Sequence, residues 1–321
     1  MAGAGITQMQ GVEPWMIEAF NALSHGDDQD LAPFLSCVSR DVSLPGTEAI
    51  CRCHFLKRDG NDRPVVDRLA AKVAAQAIQY CIPRTRLEEA RAELAETGRW
   101  EKVARLQEEA RGLFTDIDTS GEGGEMLLYL LLEAELGLPQ LLCKMPLKTS
   151  SRVHFHGVDG IHGSLEEDGR LGLYWCESKL HKKVSTATRE CFKSLSPFLL
   201  DEGSAASKRD LLLVRHHLDV GDPKLTDALM KYLDDDAIQS TLRVIKGASL
   251  IGFSLDEYPN PFDADGKSVM KEVSEQVQGW FDAIERRVKH HKLESFEIEV
   301  FCLPMPDVEA FRQAVKTHLQ L

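Results

Sequence analysis

The chain has 321 residues, and its 51 acidic and 38 basic side chains give a formal net charge of −13 at pH 7. With 43% apolar and 28% charged residues it can bury a sizeable core, which excludes a disordered or collagen-like chain. The longest apolar run, residues 126–132, is far shorter than the roughly 20 residues of a membrane-spanning helix. The amino terminus also lacks the basic flank and apolar stretch of a signal peptide, so we expect a cytoplasmic protein without membrane contact.

The first third of the chain predicts helices more clearly than strands. The first 45 residues look irregular, and residues 48–57 predict a strand. Residues 64–80 predict a helix, because their apolar residues recur on one helical face. Residues 84–112 are rich in Ala, Leu, Glu and Arg and are interrupted at 97–98, which is typical of a hairpin of two charged helices.

The rest of the chain alternates between helical and strand-like patterns. A glycine-rich opening leads into an apolar segment that predicts a buried helix, 126–136. The later elements are predicted as strands 153–165 and 170–180, helices 185–200, 208–217 and 225–233, a strand 242–254, a helix 269–288, a strand 296–302 and a helix 308–319. This order predicts an α/β protein with a mixed central sheet flanked by helices. We expect residues 1–115 to form an amino-terminal strand and helical region packed on a core domain of residues 116–321.

The eight cysteines stand mostly singly inside apolar stretches, without a C-x-x-C pair. Such spacing matches neither a zinc ribbon nor a disulfide framework. We interpret them as reduced core residues.

Two strand-like runs meet at a turn whose residues determine how the strands pair. A three-residue loop ending in Gly169, with this glycine in the left-handed conformation, pairs Glu166 with Arg170. Counted back along the ladder, this register sets Asp159 opposite Glu177. A two-residue loop would instead shift Asp159 by one residue and turn it to the other face.

In the favoured register two carboxylates face each other across the ladder, which destabilises a sheet and so indicates a site. Lys179 lies two residues beyond Glu177 and therefore on the same face of its strand. Two carboxylates with a lysine offer oxygen ligands to a hard divalent cation and an ammonium to a phosphate or a water.

Three segments of the chain resemble the HamA family, the nuclease subunits of the Hachiman anti-phage defence system within the PD-(D/E)xK nuclease superfamily. They are GEGGE at 121–125, HFHGVDGIHG at 154–163 and WCESKLHKK at 175–183. The resemblance is specific over residues 121–196 and general elsewhere, and the family's Pro before the first acid is Val158 here. It implies a PD-(D/E)xK nuclease core with helical amino-terminal additions. It also implies a metal-dependent deoxyribonuclease that a HamB-type helicase restrains and releases.

Carried over by position, the resemblance also implies the roles of individual residues. Asp159 and Glu177 would bind Mg²⁺ or Mn²⁺, and Lys179 would assist the attacking water. Glu125, or alternatively Glu122, would complete the metal shell. The alternative reading of the two helical acids is a charged first turn that suits the helix dipole.

The D/E-x-K tripeptide alone is weak evidence, because it also begins at Asp222 and at Asp265. Only the tripeptide that begins at Glu177 ends a predicted strand and follows a strand that carries an acid. The alternative interpretation of these residues is a surface salt-bridge cluster. The histidines of the preceding strand could suggest a zinc hydrolase instead. Their spacing around Asp159 does not fit such a site, and strand alternation sends them to the opposite face.

Basic residues flank the proposed site in two acid-free stretches, which predicts a local track for DNA phosphates on an acidic protein. The predicted contacts are Lys144, Lys148, Lys182 and Lys183. The alternative is that they are ordinary surface lysines. Two other functions stay open as well, namely an inactive DNA-binding or helicase-docking subunit and a stand-alone repair or restriction nuclease.

Overall fold

The computed structural model describes residues 12–24, 30–114, 121–147, 157–201, 205–263, 266 and 268–321. Two elements lie where the sequence looked irregular: helix α1, Pro14–Asn21, and strand β1, Leu35–Ser43. That expectation for the first 45 residues was therefore wrong. The strand was hidden because β1 is half-exposed and irregular, with breaks in its pairing and a positive φ of 53° at Asp41, so it shows no clean alternation.

The predicted elements that follow are largely confirmed. Strand β2 is Ala49–Leu56, and the predicted helix at 64–80 is split into α2, Val66–Ala75, and α3, Ala77–Cys81. The charged hairpin consists of α4, Arg84–Thr97, and α5, Glu101–Gly112. Gly98 ends α4 in the left-handed conformation, with a φ of 70°.

The core elements follow in the predicted order, with the short strand β3 added. They are α6 (Glu122–Leu136), β3 (Gln140–Leu142), β4 (Gly160–Leu165), β5 (Leu171–His181), α7 (Val184–Leu200), α8 (Ala205–His217), α9 (Pro223–Leu233), β6 (Arg243–Ser254), α10 (Lys271–His290), β7 (Ile298–Met305) and α11 (Val308–Leu319). The part of the first predicted hairpin strand at 153–156 lies outside the described residues.

The seven strands form one mixed sheet in the order β1-β2-β7-β6-β5-β4-β3. The four central strands, β2, β7, β6 and β5, run parallel, and antiparallel strands flank them on both sides. Because β2 pairs directly with β7, the amino-terminal strands continue the sheet of the carboxyl-terminal part. The division at residue 115 stays a prediction.

Helices cover both faces of the sheet and create two hydrophobic clusters. On one face, side chains of α7 and α10 pack on the sheet; on the other, α2, α6 and α11 do so. Strand β6 is buried over most of its length because it lies between both layers, and its sequence is accordingly mostly apolar. All eight cysteines lie within the described residues and are free, and six of them are buried, as expected.

Within the described ranges, none of the helices is both long and apolar enough to cross a bilayer.

Candidate functional site

The hairpin of β4 and β5 adopts the favoured register. The amide of Glu166 donates to the Arg170 carbonyl over 2.9 Å, and Gly169 takes a φ of 91°. The paired residues run from Leu165–Leu171 to Gly160–Cys176, as the three-residue loop predicts. The prediction of the register from the turn residues is confirmed.

Asp159 lies where the chain enters β4, one residue before the first ladder pair. Its amide donates to the Cys176 carbonyl over 2.9 Å. Its Oδ2 accepts a hydrogen bond of 2.8 Å from the amide of Ser178. Strand β5 extends to His181, beyond the last residue that β4 pairs. The Asp159 carboxylate therefore sits at the open edge of β5, beside the Glu177–Lys179 segment.

Glu177 and Lys179 lie on the face of β5 that is turned to α7. Glu177 is only 3% exposed, and its carboxylate forms an ion pair with the partly exposed Lys179 ammonium. The Cys191 thiol of α7 lies 3.5 Å from the Glu177 carbonyl oxygen. The predicted sharing of one face by Glu177 and Lys179 is thus confirmed.

Helix α6 brings a third carboxylate, and a glycine allows its close approach. A Cβ on Gly124 would lie 2.4 Å from the Ser178 Oγ and 3.1 Å from the Leu180 Cγ, so only glycine fits against β5 without a shift. The next residue, Glu125, accepts a hydrogen bond of 3.1 Å from the Tyr80 hydroxyl of α3. Glu122, one turn earlier, is buried.

The electrostatics show that these groups act on one another. Burial, followed by the negative charges of Glu177 and Glu125, raises the pKa of Asp159 well above its usual value. Burial also raises the pKa of Glu177, although the Lys179 ammonium opposes this shift. Burial lowers the pKa of Lys179, but the charges of Asp159 and Glu177 outweigh it and raise that pKa, so Lys179 stays an ammonium at neutral pH.

The donor set suits a hard divalent cation in its chemistry. Three carboxylates, one on α6, one directly before β4 and one on β5, are oxygen donors of the kind that such a cation prefers. Burial and then the charges of Glu177 and Glu125 raise the pKa of Asp159, and a bound cation would oppose that shift. Within the described ranges, no group of three or more His, Cys, Asp or Glu side chains is already arranged around one point. Glu177, in particular, is held by Lys179.

Lys144 has a different place from the one predicted for a DNA contact. It is 8% exposed, and its ammonium donates to the Val158 carbonyl and lies 3.2 Å from Oδ2 of the fully buried Asp210. The same Asp210 oxygen accepts from the Val158 amide over 3.2 Å. The buried pair therefore positions the segment that carries Asp159, and we correct the DNA-contact role predicted for Lys144.

The other predicted basic residues are placed as follows. Lys182 and Lys183 are exposed immediately after β5, at the start of α7, so their predicted contact with DNA stays a prediction. Lys148 lies outside the described residues.

The competing sequence motifs have local structural roles. Asp222 caps α9, accepting from the Leu225 amide over 2.9 Å. His162 is buried, with Nδ1 2.8 Å from the Leu138 carbonyl oxygen, and burial lowers its pKa to about 4. His154, His156, Asp265 and Lys267 lie outside the described residues.

Two residues of the site were missed by sequence reasoning. Tyr80 binds Glu125 from 45 positions away, and Asp210 binds Lys144 from 66 positions away. Neither residue belongs to a motif. No periodicity or spacing could have connected them, because each contact joins two segments that are far apart in the sequence.

Comparison with known proteins gives one match. The family model described as HamA matches residues 32–319. No curated protein and no solved structure shows significant similarity to the chain.

Proposed function

The chain belongs to the HamA family and so to the proteins of Hachiman defence, and from this premise we propose that it is a metal-dependent deoxyribonuclease. The proposed reaction is hydrolysis of a DNA phosphodiester by a water molecule. We further propose that the chain works in complex with a HamB-type helicase, which restrains it until invading DNA is engaged.

The observation that carries the proposal is the convergence of Asp159, Glu177 and Lys179 at the open edge of β5, with Glu125 near them. Asp159 and Glu177 raise the free energy of the folded chain at neutral pH, because their surroundings raise the pKa of each carboxyl group. Acids that are held together at a cost in stability are typical of a functional site.

The residues suggest a division of roles. Asp159, Glu177 and Glu125 would hold Mg²⁺ or Mn²⁺, which when bound supplies charge stabilisation at the scissile phosphate. Lys179 remains protonated, so it would orient the attacking water and neutralise charge on the phosphate rather than accept a proton. Tyr80 would keep the Glu125 carboxylate in place through its hydrogen bond.

The charge of the whole chain supports the need for a partner. A net charge of −13 opposes binding of DNA by the chain alone at physiological salt. The exposed Lys182 and Lys183 provide only a local attraction next to the site. A helicase that brings the strand would overcome this repulsion.

Cleavage assays of the wild type and Glu177→Gln test the proposal, each with Mg²⁺, Mn²⁺ or EDTA, and with and without the helicase. We expect cleavage only with metal, strongest with helicase, and a loss of about 100-fold or more in Glu177→Gln. Glu167→Gln is the matched control, since Glu167 is an exposed acid in the turn of the same hairpin and should leave cleavage unchanged.

Each alternative function predicts another result. Full cleavage without the helicase would favour a stand-alone repair or restriction nuclease. An absence of wild-type cleavage in every condition, with a stable helicase complex, would favour an inactive docking subunit. Cleavage that survives Glu177→Gln would place the active site elsewhere.

A further inference from the structure

A pocket of about 120 Å³ lies beside the acidic cluster, between α3, the start of α4, α6 and β3. Helix α6 connects the two places. Glu125 belongs to the acidic cluster, Tyr129 lies one turn further along, and Glu133 lines the pocket one turn beyond that. These three residues are spaced by four, so they share one face of the helix. Because Tyr129 also lines the pocket, the pocket begins about one helical turn from Glu125.

The pocket and the acidic cluster are neighbours in space as well as along the helix. Tyr129 lines the pocket and also a small cavity that contains Glu125 and Asp159. Leu147 likewise lines the pocket and a second cavity of about 110 Å³ that reaches Asp159. The pocket and the cavities at the acids thus share wall residues, so a strand held at the acids would lie next to the pocket.

The size of the pocket indicates what it can hold. An engineered protein cavity of about 150 Å³ binds benzene, a single six-membered ring. The volume of about 120 Å³ here is close to that value, and this pocket is open to solvent on one side. It fits one aromatic ring better than the two fused rings of a purine.

The walls combine apolar surfaces with hydrogen-bonding groups. Ile82 and Leu87 supply buried apolar surface. Gln79 and Gln140 carry carboxamides, each of which can both donate and accept. The Glu133 carboxylate accepts from the backbone N–H of Gln140 over 2.9 Å. A flat ring with donors and acceptors around its edge is the ligand that such a lining suits.

We propose that this pocket binds one unstacked pyrimidine base of the DNA strand that the acidic cluster cleaves. The inference rests on the proposed function, because it takes the ligand to be a nucleic-acid strand. A base enters such a pocket only after leaving its stack, which costs least in single-stranded DNA. The pocket therefore makes a single-stranded, pyrimidine-containing segment the preferred substrate.

The test measures binding by the full chain with its helicase, in EDTA, to fluorescent oligothymidine, oligodeoxyadenosine and an abasic oligomer of equal length. The wild-type complex should bind oligothymidine at least about tenfold more tightly than either of the other strands, the gain expected from one well-held base. Gln79→Trp, which fills the pocket from its half-exposed rim, should bring all three dissociation constants to the abasic level.

Two further variants keep the test decisive. His217→Trp narrows the mouth from the exposed end of α8 and should have the same effect if Gln79→Trp fails to fold. Gln278→Trp is the matched control, because Gln278 is exposed on α10 across the sheet, and it should keep the thymidine preference. Equal affinities for the three strands in the wild type, or a preference that survives both pocket variants, would overturn the proposal.

The assay separates this inference from the nuclease proposal. Binding in EDTA does not depend on metal or on cleavage. A thymidine preference that Gln79→Trp abolishes, in a protein that never cleaves DNA, would keep the pocket and reject the nuclease. Cleavage without any base preference would keep the nuclease proposal and reject the base pocket.

Discussion

Among the residues of this chain, charged groups with little exposure are of two kinds, those of the candidate site and those that form structural ion pairs. Asp159 and Glu177 are held together although burial raises the pKa of each, whereas other buried charges are paired for structure. His54 of β2 is an example of the second kind, with Nε2 2.7 Å from the Glu135 carboxylate of α6. Burial lowers its pKa, but hydrogen bonding to Cys37 and Glu135 outweighs this and raises the pKa to about 9.

The His54 pair predicts a pH dependence of stability. Because the folded pKa lies above the unfolded value of about 6.5, its contribution is complete below that pH and is lost as the pH rises through about 9. The difference in unfolding free energy between the wild type and His54→Gln should therefore shrink between pH 6 and pH 10, as measured by urea unfolding. If Glu135→Gln leaves this pH dependence intact, the ion pair is not its cause.

The ion pair of Lys144 with Asp210 is buried, so its loss should destabilise the fold. Lys144→Ala leaves the charge of Asp210 buried without its lysine, so we expect a loss of about 3–5 kcal/mol in unfolding free energy. Lys182→Ala, at an exposed position, should change stability by less than about 0.5 kcal/mol. Comparable stability of the two variants in chemical denaturation would contradict the positioning role of the buried pair.

Among the elements, the contact of α6 with β5 decides whether the third carboxylate reaches the site. Gly124 lies at the closest approach of the two elements, directly before Glu125. Any side chain there pushes α6 from the strand that carries Glu177. The position of Glu125 is therefore a property of helix packing.

Gly124→Ala should lower both stability and activity, in spite of the better helix propensity of alanine. The added Cβ meets the Ser178 Oγ and Leu180, so we expect a loss of about 1–3 kcal/mol in unfolding free energy and reduced DNA cleavage. The matched control is Gly279→Ala in α10, where nothing lies within 4 Å of the added Cβ, and it should be neutral or stabilising. Ser178→Ala should partly rescue Gly124→Ala, and a strictly additive double-mutant cycle would argue against this contact.

For the whole molecule, the proposed association with DNA would depend on the balance between an acidic chain and a small basic surface. The net charge of −13 repels the phosphate backbone, and the buried Lys144 adds no attraction at the surface. If the chain binds DNA as proposed, binding would depend on a few exposed cations near the site, on the proposed base pocket and on the proposed partner.

The salt dependence of DNA binding measures the contribution of those cations. If Lys182 and Lys183 each neutralise one phosphate of single-stranded DNA, the Lys182→Ala, Lys183→Ala double variant should reduce the magnitude of the slope of log K against log salt by about 1.4. Lys271→Ala, at an 83% exposed position of α10, should leave the slope unchanged. Equal slopes in wild type and double variant, measured by fluorescence anisotropy, would remove both lysines from the interface.

The sequence by itself determined those features that depend on local rules. Turn chemistry at Gly169 predicted the hairpin register, and strand alternation then placed Glu177 and Lys179 on one face. Helical periodicity and glycine stops predicted most helices, because both are properties of neighbouring residues. The half-exposed strand β1 escaped the same rules, since its irregular pairing removes the alternation on which they rely.

Only the tertiary structure decided which distant residues meet. The parallel pairing of β2 with β7 joins segments roughly 250 residues apart, and neither strand carries a local signal for its partner. The contact of Tyr80 with Glu125 likewise has no local signal in the sequence. Nor does the contact of Asp210 with Lys144, which buries this lysine next to the segment that carries Asp159. The exposure of each side chain, its contact partners and the pocket beside α6 depend on how the helices and strands pack. Short-range patterns in the sequence do not specify that packing.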